Sequence, residues 1–406
     1  MSNFTWKGGG YMKSYDVIVI GAGVIGSSVA YHLAKKGLDV ALIEKGGVAS
    51  GTSSRCDAVA LICDKKPGID TEIGYASIQL FKQLAKEFSV DFEFASRGSL
   101  YVCETEQELD IAKGYVSQQA KDGYDMRMVD RNELQQIEPY LADDLAGGIW
   151  TEVDSSMNPY KLCYAFVEEG RKLGLEVYDY HSVQNITLDV KGRVESVVTD
   201  RGTFKTNRIV NCAGVWSPKI AEMVGVHIPI RPRKGMVLIS EKTPFKVASQ
   251  KVHEFGYMLS KFEDIQFKRN VSELVEKHNV AFTIEPTDAN NFLVGGHRAF
   301  KGYNISSEIE VMHAIAERAI RFLPKLKEIN CIRAYAGVRP WVEDHLPIVS
   351  EVEEVPGFFI ASGHEGDGIS MAPITGRMVT QLIAGEQTDF NIDKLNFSRY
   401  KKANAV

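Results

Sequence analysis

The chain has 406 residues, 44% of them hydrophobic and 25% charged, which excludes collagen-like and disordered classes. A formal net charge of -6 argues against a general binder of nucleic-acid phosphates. At roughly 100–200 residues per domain the length predicts two or three domains, with enough buried surface to need no disulfide or metal staple.

Residues 1–11 are polar and Gly-rich with no apolar centre, and are read as a tail rather than a signal peptide, with Met12 as a second possible start. The longest apolar stretch, near Val17–Ala30, is broken by glycines and serines and is too short to span a bilayer. The expected location is cytoplasmic, with membrane association only through partners. The cysteines Cys56, Cys63, Cys103, Cys163, Cys212 and Cys331 form no C-x-x-C pair, so no metal site is expected and the thiols are read as reduced.

The first element is a β-branched strand, Tyr15–Ile20, ended by Gly21. A helix over Val24–Lys36 follows, stopped by Gly37, then a second buried strand, Asp39–Glu44. Helices are predicted at 69–88, 105–122 and 158–173, the last opened by the cap and first-turn pair Asn158-Pro159. Strand-like alternation runs from Glu176 to Ile209, and Val280–Ile284 and Asn291–Gly295 read as a strand pair. Glu308–Phe322 reads as an amphipathic helix, Phe358–Ala361 as a buried strand and Ala372–Ile383 as a helix.

Gly21-Ala22-Gly23-Val24-Ile25-Gly26 is G-x-G-x-x-G between strand and helix. Gly21 can make the tight turn, Gly23 lets backbone approach a pyrophosphate, and Gly26 permits close packing. The helix N-terminus offers unpaired N–H groups and partial positive charge to phosphate. Glu44 ends the second strand, where a carboxylate can accept from ribose hydroxyls. These features predict a dinucleotide site.

Continuing through Lys45 to Gly51-Thr52-Ser53-Ser54, the pattern V-I-G-A-G-V-I-G, L-I-E-K, A-S-G-T-S-S resembles the D-amino-acid-oxidase-like FAD oxidoreductases. That family includes glycine oxidase, sarcosine oxidase, the β subunit of proline dehydrogenase and the flavin subunit of hydrogen cyanide synthase. Three later segments resemble it in family order: Ile209–Ser217, Gly337-Val338-Arg339-Pro340 with Asp344–Ile348, and Gly363–Ile369. The resemblance covers nearly everything after Met12. It implies an α/β plus α+β architecture, with a Rossmann-like FAD-binding domain interleaved with a mixed-sheet substrate domain. The expected boundaries are 12–94, 150–228 and 328–406 for the FAD domain, and 95–149 and 229–327 for the substrate domain.

The resemblance also implies FAD contacts at Gly21, Gly23, Val24, Ile25, Gly26, Glu44, Lys45, Gly51, Thr52, Ser53 and Ser54. It adds Val183 by backbone contact with adenine, then Ala213, Gly214, Trp216, Gly337, Arg339, Gly366, Asp367, Gly368 and Ile369. Noncovalent FAD is expected, because Val338–Trp341 carries no cysteine of the kind that tethers flavin in some relatives. A turn rich in glycine before a helix can direct backbone N–H groups at negative charge on a reduced flavin. Arg339 lies among apolar residues, where a charge needs a partner. The resemblance gives it the substrate α-carboxylate, and the alternative is an ion pair with Glu343 or Asp344. Thr283 and Glu285 share one strand face and are candidates for a substrate amine or hydroxyl. Thr283 stands where glycine oxidase has a Tyr, which separates this chain from that enzyme. Arg298 is a candidate for a further anion contact, and Arg55–Val59 for the substrate side of the flavin.

The expected reaction is FAD-dependent oxidation of an amino acid or N-substituted amino acid, giving an imine that hydrolyses or cyclises. Alternatives are a flavin subunit of a multi-subunit amino-acid, opine or proline dehydrogenase, and a 2-hydroxy-acid dehydrogenase with His364 as base. A third is an NAD(P)-binding regulatory module without redox turnover. The electron acceptor would be O2, a quinone or dye, or a partner subunit, and a homo- or hetero-oligomer is open. No nucleic-acid partner is expected.

Overall fold

The computed structural model describes residues 13–247, 251–259 and 267–400. The expected tail at 1–11 lies outside them. Val17–Ile20, Val24–Lys35 and Val40–Ile43 form the predicted strand–helix–strand unit, with both strands fully buried and parallel. They sit in a six-stranded sheet with Glu176–Tyr178 outside Val40–Ile43. On the other side Ile209–Asn211, Phe358–Ser362 and the antiparallel Ile348–Glu351 follow in that order. The helices Val24–Lys35, Pro159–Arg171 and Gly368–Ala384 pack together beside this sheet. Asn158 caps its helix by accepting the Lys161 N–H at 3.2 Å, with Pro159 in the first turn.

The second sheet has eight strands. In spatial order they are Cys331–Trp341, Arg231–Ser240, Phe292–His297, Val280–Pro286, Lys251–Glu254, Ser99–Cys103, Gly147–Thr151 and Arg127–Asp130. Its two faces differ because side chains alternate along each strand. Leu238, Phe282, Ile284, Val294 and Ala336 form one apolar face under the helix Ile309–Phe322, where Phe282 stacks on Phe322 at 4.8 Å. The other face carries His253, Thr283, Glu285, Arg233, Gly235 and Arg339, and lines a cavity.

Cys331–Trp341 lies in the stretch 328–406 expected of the FAD domain, yet it is the edge of this larger sheet, paired along Arg231–Ser240. Neither strand was predicted. Pro232 and Pro340 face each other across the pair, and arginines and glycines interrupt the apolar alternation. The helix expected to start at Ala372 starts at Gly368 instead. Pro373 lies inside it and removes one backbone donor without ending it. Among the described residues no helix is long and apolar enough to cross a membrane.

Candidate active site

A cavity of about 680 Å³ opens between the two sheets. At one end lies the glycine turn. Gly21 has φ +104°, and a Cβ there would stand 2.7 Å from the Cys212 carbonyl oxygen. A Cβ on Gly26 would stand 1.8 Å from the Gly21 carbonyl oxygen, so side chains at both positions are excluded by backbone. Gly23, at the helix start, offers no side-chain cap. The Val24 N–H is instead answered by the Ser53 hydroxyl at 3.0 Å. Glu44 accepts the Ala22 N–H through one carboxylate oxygen and the Gly46 N–H through the other, each at 2.8 Å. Its carboxylate is thus fixed at the mouth of the turn. Lys45 places its ammonium 3.4 Å from the centre of the Trp216 ring, a cation–π contact that closes this side.

The segment after the turn is tied to the large sheet. The Thr52 hydroxyl donates to the Val338 carbonyl at 2.7 Å, and the Tyr335 hydroxyl donates to the Cys56 carbonyl at 3.2 Å. Gly337 makes this approach possible, because a Cβ there would lie 2.5 Å from the Arg55 carbonyl oxygen. These contacts set the dinucleotide turn against the sheet that forms the cavity floor.

Arg339 projects from that floor. Its guanidinium lies in the notch left by Gly235, where a Cβ would be 2.7 Å from one terminal nitrogen. One N–H donates to the His297 carbonyl at 3.2 Å. Asp344, a partner considered for it, is instead paired with Arg399 at 2.6 Å. Thr283 and Glu285 face the cavity from their strand, 7% and 3% exposed. Burial pushes the Glu285 carboxyl up to about 7 against the pull of Lys251. Lys251 stands 4.0 Å from Glu285 and forms an ion pair with Asp57. For Asp57 burial acts upward, but Lys251 outweighs it and holds the carboxyl at about 2.

Opposite the floor, Phe358–Ser362 ends in the turn Gly363–Asp367 before the helix Gly368–Ala384. His364 is turned away from chemistry: its Nε2 meets the Thr375 hydroxyl at 3.0 Å, and burial pushes it down to about 3. Asp367 forms an ion pair with Lys65, whose side chain is fully buried. Burial opposes the Lys65 charge, but Asp367 and Asp64 outweigh it and hold its pKa above the ordinary value.

The structure brings nearly all the predicted residues to this one cavity. Gly21, Gly23, Val24, Ile25, Glu44 and Lys45 line it, as do Gly51, Thr52, Ser53 and Val183. Ala213, Gly214, Trp216, Gly337, Arg339, Gly366, Asp367, Gly368 and Ile369 line it too, with Thr283, Glu285 and His364. Gly26 and Ser54 do not. Gly26 packs behind the turn, and the Ser54 hydroxyl donates to the Gly51 carbonyl at 3.0 Å. Sequence reading missed Lys251, Arg233, Tyr257 and Lys65. For Arg233 the signal was available: Arg231, Arg233, Gly235 and Val237 alternate along one strand face. The burial of these lysines carries no local signal, because Asp57 and Glu285 reach Lys251, and Asp367 reaches Lys65, from distant segments.

Residues 16–382 match the family described as DAO, FAD dependent oxidoreductase. The hydrogen cyanide synthase subunit HcnC of Pseudomonas aeruginosa is 26% identical, over 96% of this chain and 97% of its own. Glycine oxidase of Geobacillus kaustophilus is 25% identical, over 95% of this chain and 97% of its own. The crystal structure of L-proline dehydrogenase from P. horikoshii superposes with a TM-score of 0.86 at 23% identity, covering 97% of this chain and 99% of that one. The residues present fit FAD. A turn whose Gly21 and Gly26 leave no room for side chains, a helix start whose cap residue Gly23 has no side chain to fill the space before it, and a fixed acid meet the needs of a dinucleotide. The cavity continues from them to the floor at Arg339.

Proposed function

The chain belongs to the DAO family of FAD-dependent oxidoreductases, and from that premise we propose that it oxidises an amino acid, or an N-substituted amino acid, at the bond between Cα and nitrogen. Its cofactor is FAD. We assign noncovalent FAD to the Gly21–Ile25 turn, Glu44, Lys45, the Gly51–Ser53 segment, Val183, Ala213–Trp216 and the Gly366–Ile369 turn. The observation that carries the substrate reading is Arg339 on the cavity floor, its fork seated in the Gly235 notch and facing the same space as Glu285.

In this reading Arg339 grips the α-carboxylate with two N–H donors, which fixes the substrate's orientation. Glu285 accepts from the amine N–H, and the ion pair of Lys251 with Asp57 keeps its surroundings polar. Thr283 lies beside it. Bound FAD would supply the two-electron acceptor for the α-carbon hydride, and the nitrogen lone pair would form C=N as that C–H bond breaks. The imine then hydrolyses or cyclises in water. Backbone N–H groups of Gly368 and Ile369 lie at a helix start, where they favour negative charge. No side-chain base is needed, which agrees with His364 being committed to Thr375.

The likeness to a hydrogen cyanide synthase subunit supports a variant of this reading, in which electrons leave through a partner subunit rather than to O2. The test is anaerobic bleaching of FAD-loaded protein by a panel of amino acids, N-alkyl amino acids and 2-hydroxy acids. Bleaching by amines alone is the expected result. Bleaching by hydroxy acids alone would overturn the proposal.

A further inference from the structure

The loop Ala299–Glu308 leaves the large sheet after Phe292–His297 and leads into the helix Ile309–Phe322, and both of its ends are fastened to one residue. Lys234 exchanges backbone hydrogen bonds with Ala299, donating at 2.7 Å and accepting at 3.0 Å. Its fully buried ammonium donates to the Glu308 carboxylate at 2.6 Å. Phe300 adds an edge contact to Trp341, with 5.0 Å between ring centres. With its ends held together in this way, the loop is an Ω-type excursion on a rigid base. Every residue from Phe300 to Ser307 is exposed.

The tip of the loop crosses to the other sheet. The Tyr303 hydroxyl donates to the Val215 carbonyl at 3.2 Å, and its ring stacks on Trp216 with 6.0 Å between centres and 20° between planes. Val215 and Trp216 follow Ile209–Asn211, a strand of the six-stranded sheet. Each ring of the pair also carries a cation: Lys219 lies 5.0 Å from the centre of Tyr303, and Lys45 lies over Trp216. Trp216 stands against Gly51, where a Cβ would be 3.4 Å from the ring. Tyr303 and Ile305 line the cavity together with Lys45, Gly51, Trp216 and Lys219. A loop rooted in the large sheet therefore bridges the cavity and meets the segments assigned to the cofactor.

We propose that Ala299–Glu308 is a clasp that retains FAD, with Tyr303 as the positioning residue that fixes Trp216 at the cofactor end of the cavity. This rests on the assignment of FAD to Lys45, Gly51 and Trp216, and not on the identity of the substrate. An exposed loop adds little to the fold and opens locally without disturbing the core. Its base stays on Lys234 while its tip lets go. The latch consists of one aromatic pair and one hydrogen bond, and FAD leaving from between the two sheets must wait for both to break.

The experiment dilutes FAD-loaded protein and follows the return of free-flavin fluorescence, so that no turnover is required. Tyr303→Ala is expected to speed FAD release by about 5–100-fold, the combined value of the ring pair and the hydrogen bond. Tyr303→Phe keeps the ring and loses the hydroxyl, and is expected to speed release by about 2–10-fold. The Tm of either apoprotein should stay within a few degrees of the parent's, which a merely structural role for the loop would not allow. Release at the parent's rate from both variants would overturn the clasp and leave the FAD site standing. Unchanged release with faster flavin bleaching at low substrate would also overturn it, by making the loop a substrate gate. A parent protein that takes up no FAD would remove the cofactor assignment and the clasp with it.

Discussion

Gly235→Ala separates the positioning of Arg339 from its charge. The added Cβ would lie 2.7, 2.8 and 2.9 Å from the two terminal nitrogens and the central carbon of the Arg339 guanidinium. Ordinary contact begins near 3.4 Å, so the fork must withdraw by about 0.7 Å, and displacement on the scale of 1 Å can cost about 10²-fold in rate. The obstructing atoms are the far end of a flexible side chain, not backbone, so the strand itself has no reason to move. No left-handed φ is involved at Gly235, and replacing glycine in a strand lowers the entropy of the unfolded chain. The expected variant therefore keeps its Tm within a few degrees and its FAD content, while kcat/KM for carboxylate amines falls about 10–100-fold. Thermal unfolding, flavin absorbance and anaerobic flavin reduction measure the three terms. Full activity would show that the fork does not need its notch. A large fall in Tm would show that the backbone had yielded instead, and either result refutes the argument.

Arg339→Ala should lower kcat/KM for carboxylate substrates by about 10²–10³-fold while FAD remains bound, read by stopped-flow reduction. Lys65→Met should lower stability by about 3–5 kcal/mol in denaturant titration, because Asp367 is left without the cation that holds it. Glu285→Gln should remove an inflection near pH 7 from the kcat/KM profile, since burial holds that carboxyl at about 7. Stability against pH should be nearly flat between about pH 4.5 and 6.5 because two sets of groups oppose each other. His32 and His297 are pushed down to about 4 and His364 to about 3, each chiefly by burial, so their contribution is full above about pH 6.5 and is lost on acidification. Burial likewise pushes Glu108, Asp154 and Glu285 up to about 7, so their cost grows as pH rises through the same window. The unfolding free energy of His364→Asn, from denaturant titration, should accordingly fall with rising pH by about 1.4 kcal/mol per unit.

The glycine-turn end of the cavity was legible because much of its pattern is local. Gly26 meets the Gly21 carbonyl within one strand–turn–helix unit, so that spacing records the contact, whereas Gly21 meets Cys212 and Gly23 meets the Ser53 hydroxyl from later segments. Glu44 is reached through the next strand and remains within the same unit. Helices with a clear apolar stripe, such as Ile309–Phe322, were read to within a residue because one face alone meets the core. The helix over Gly368–Ala384 was read four residues short because Pro373 looks like a beginning when only propensity is weighed.

The floor was harder for a physical reason. A strand over a polar cavity buries charge on the face that the apolar rule expects to be solvent or core. Arg231–Ser240 therefore carries Arg233 and Gly235 inward at positions where alternation predicts apolar residues. Gly235 and Gly337 face each other across the strand pair and act on opposite problems. One makes room for the Arg339 fork, and the other admits the Arg55 backbone. Neither glycine has a positive φ, so turn chemistry gives no hint of either. The same rung thus joins the two halves of the cavity: substitution at Gly337 would push the cofactor-side segment off the floor, and substitution at Gly235 would move only the arginine. That asymmetry follows from backbone being rigid and a guanidinium stem being flexible, and it makes this one glycine pair the place where cofactor seating and substrate orientation can be perturbed separately.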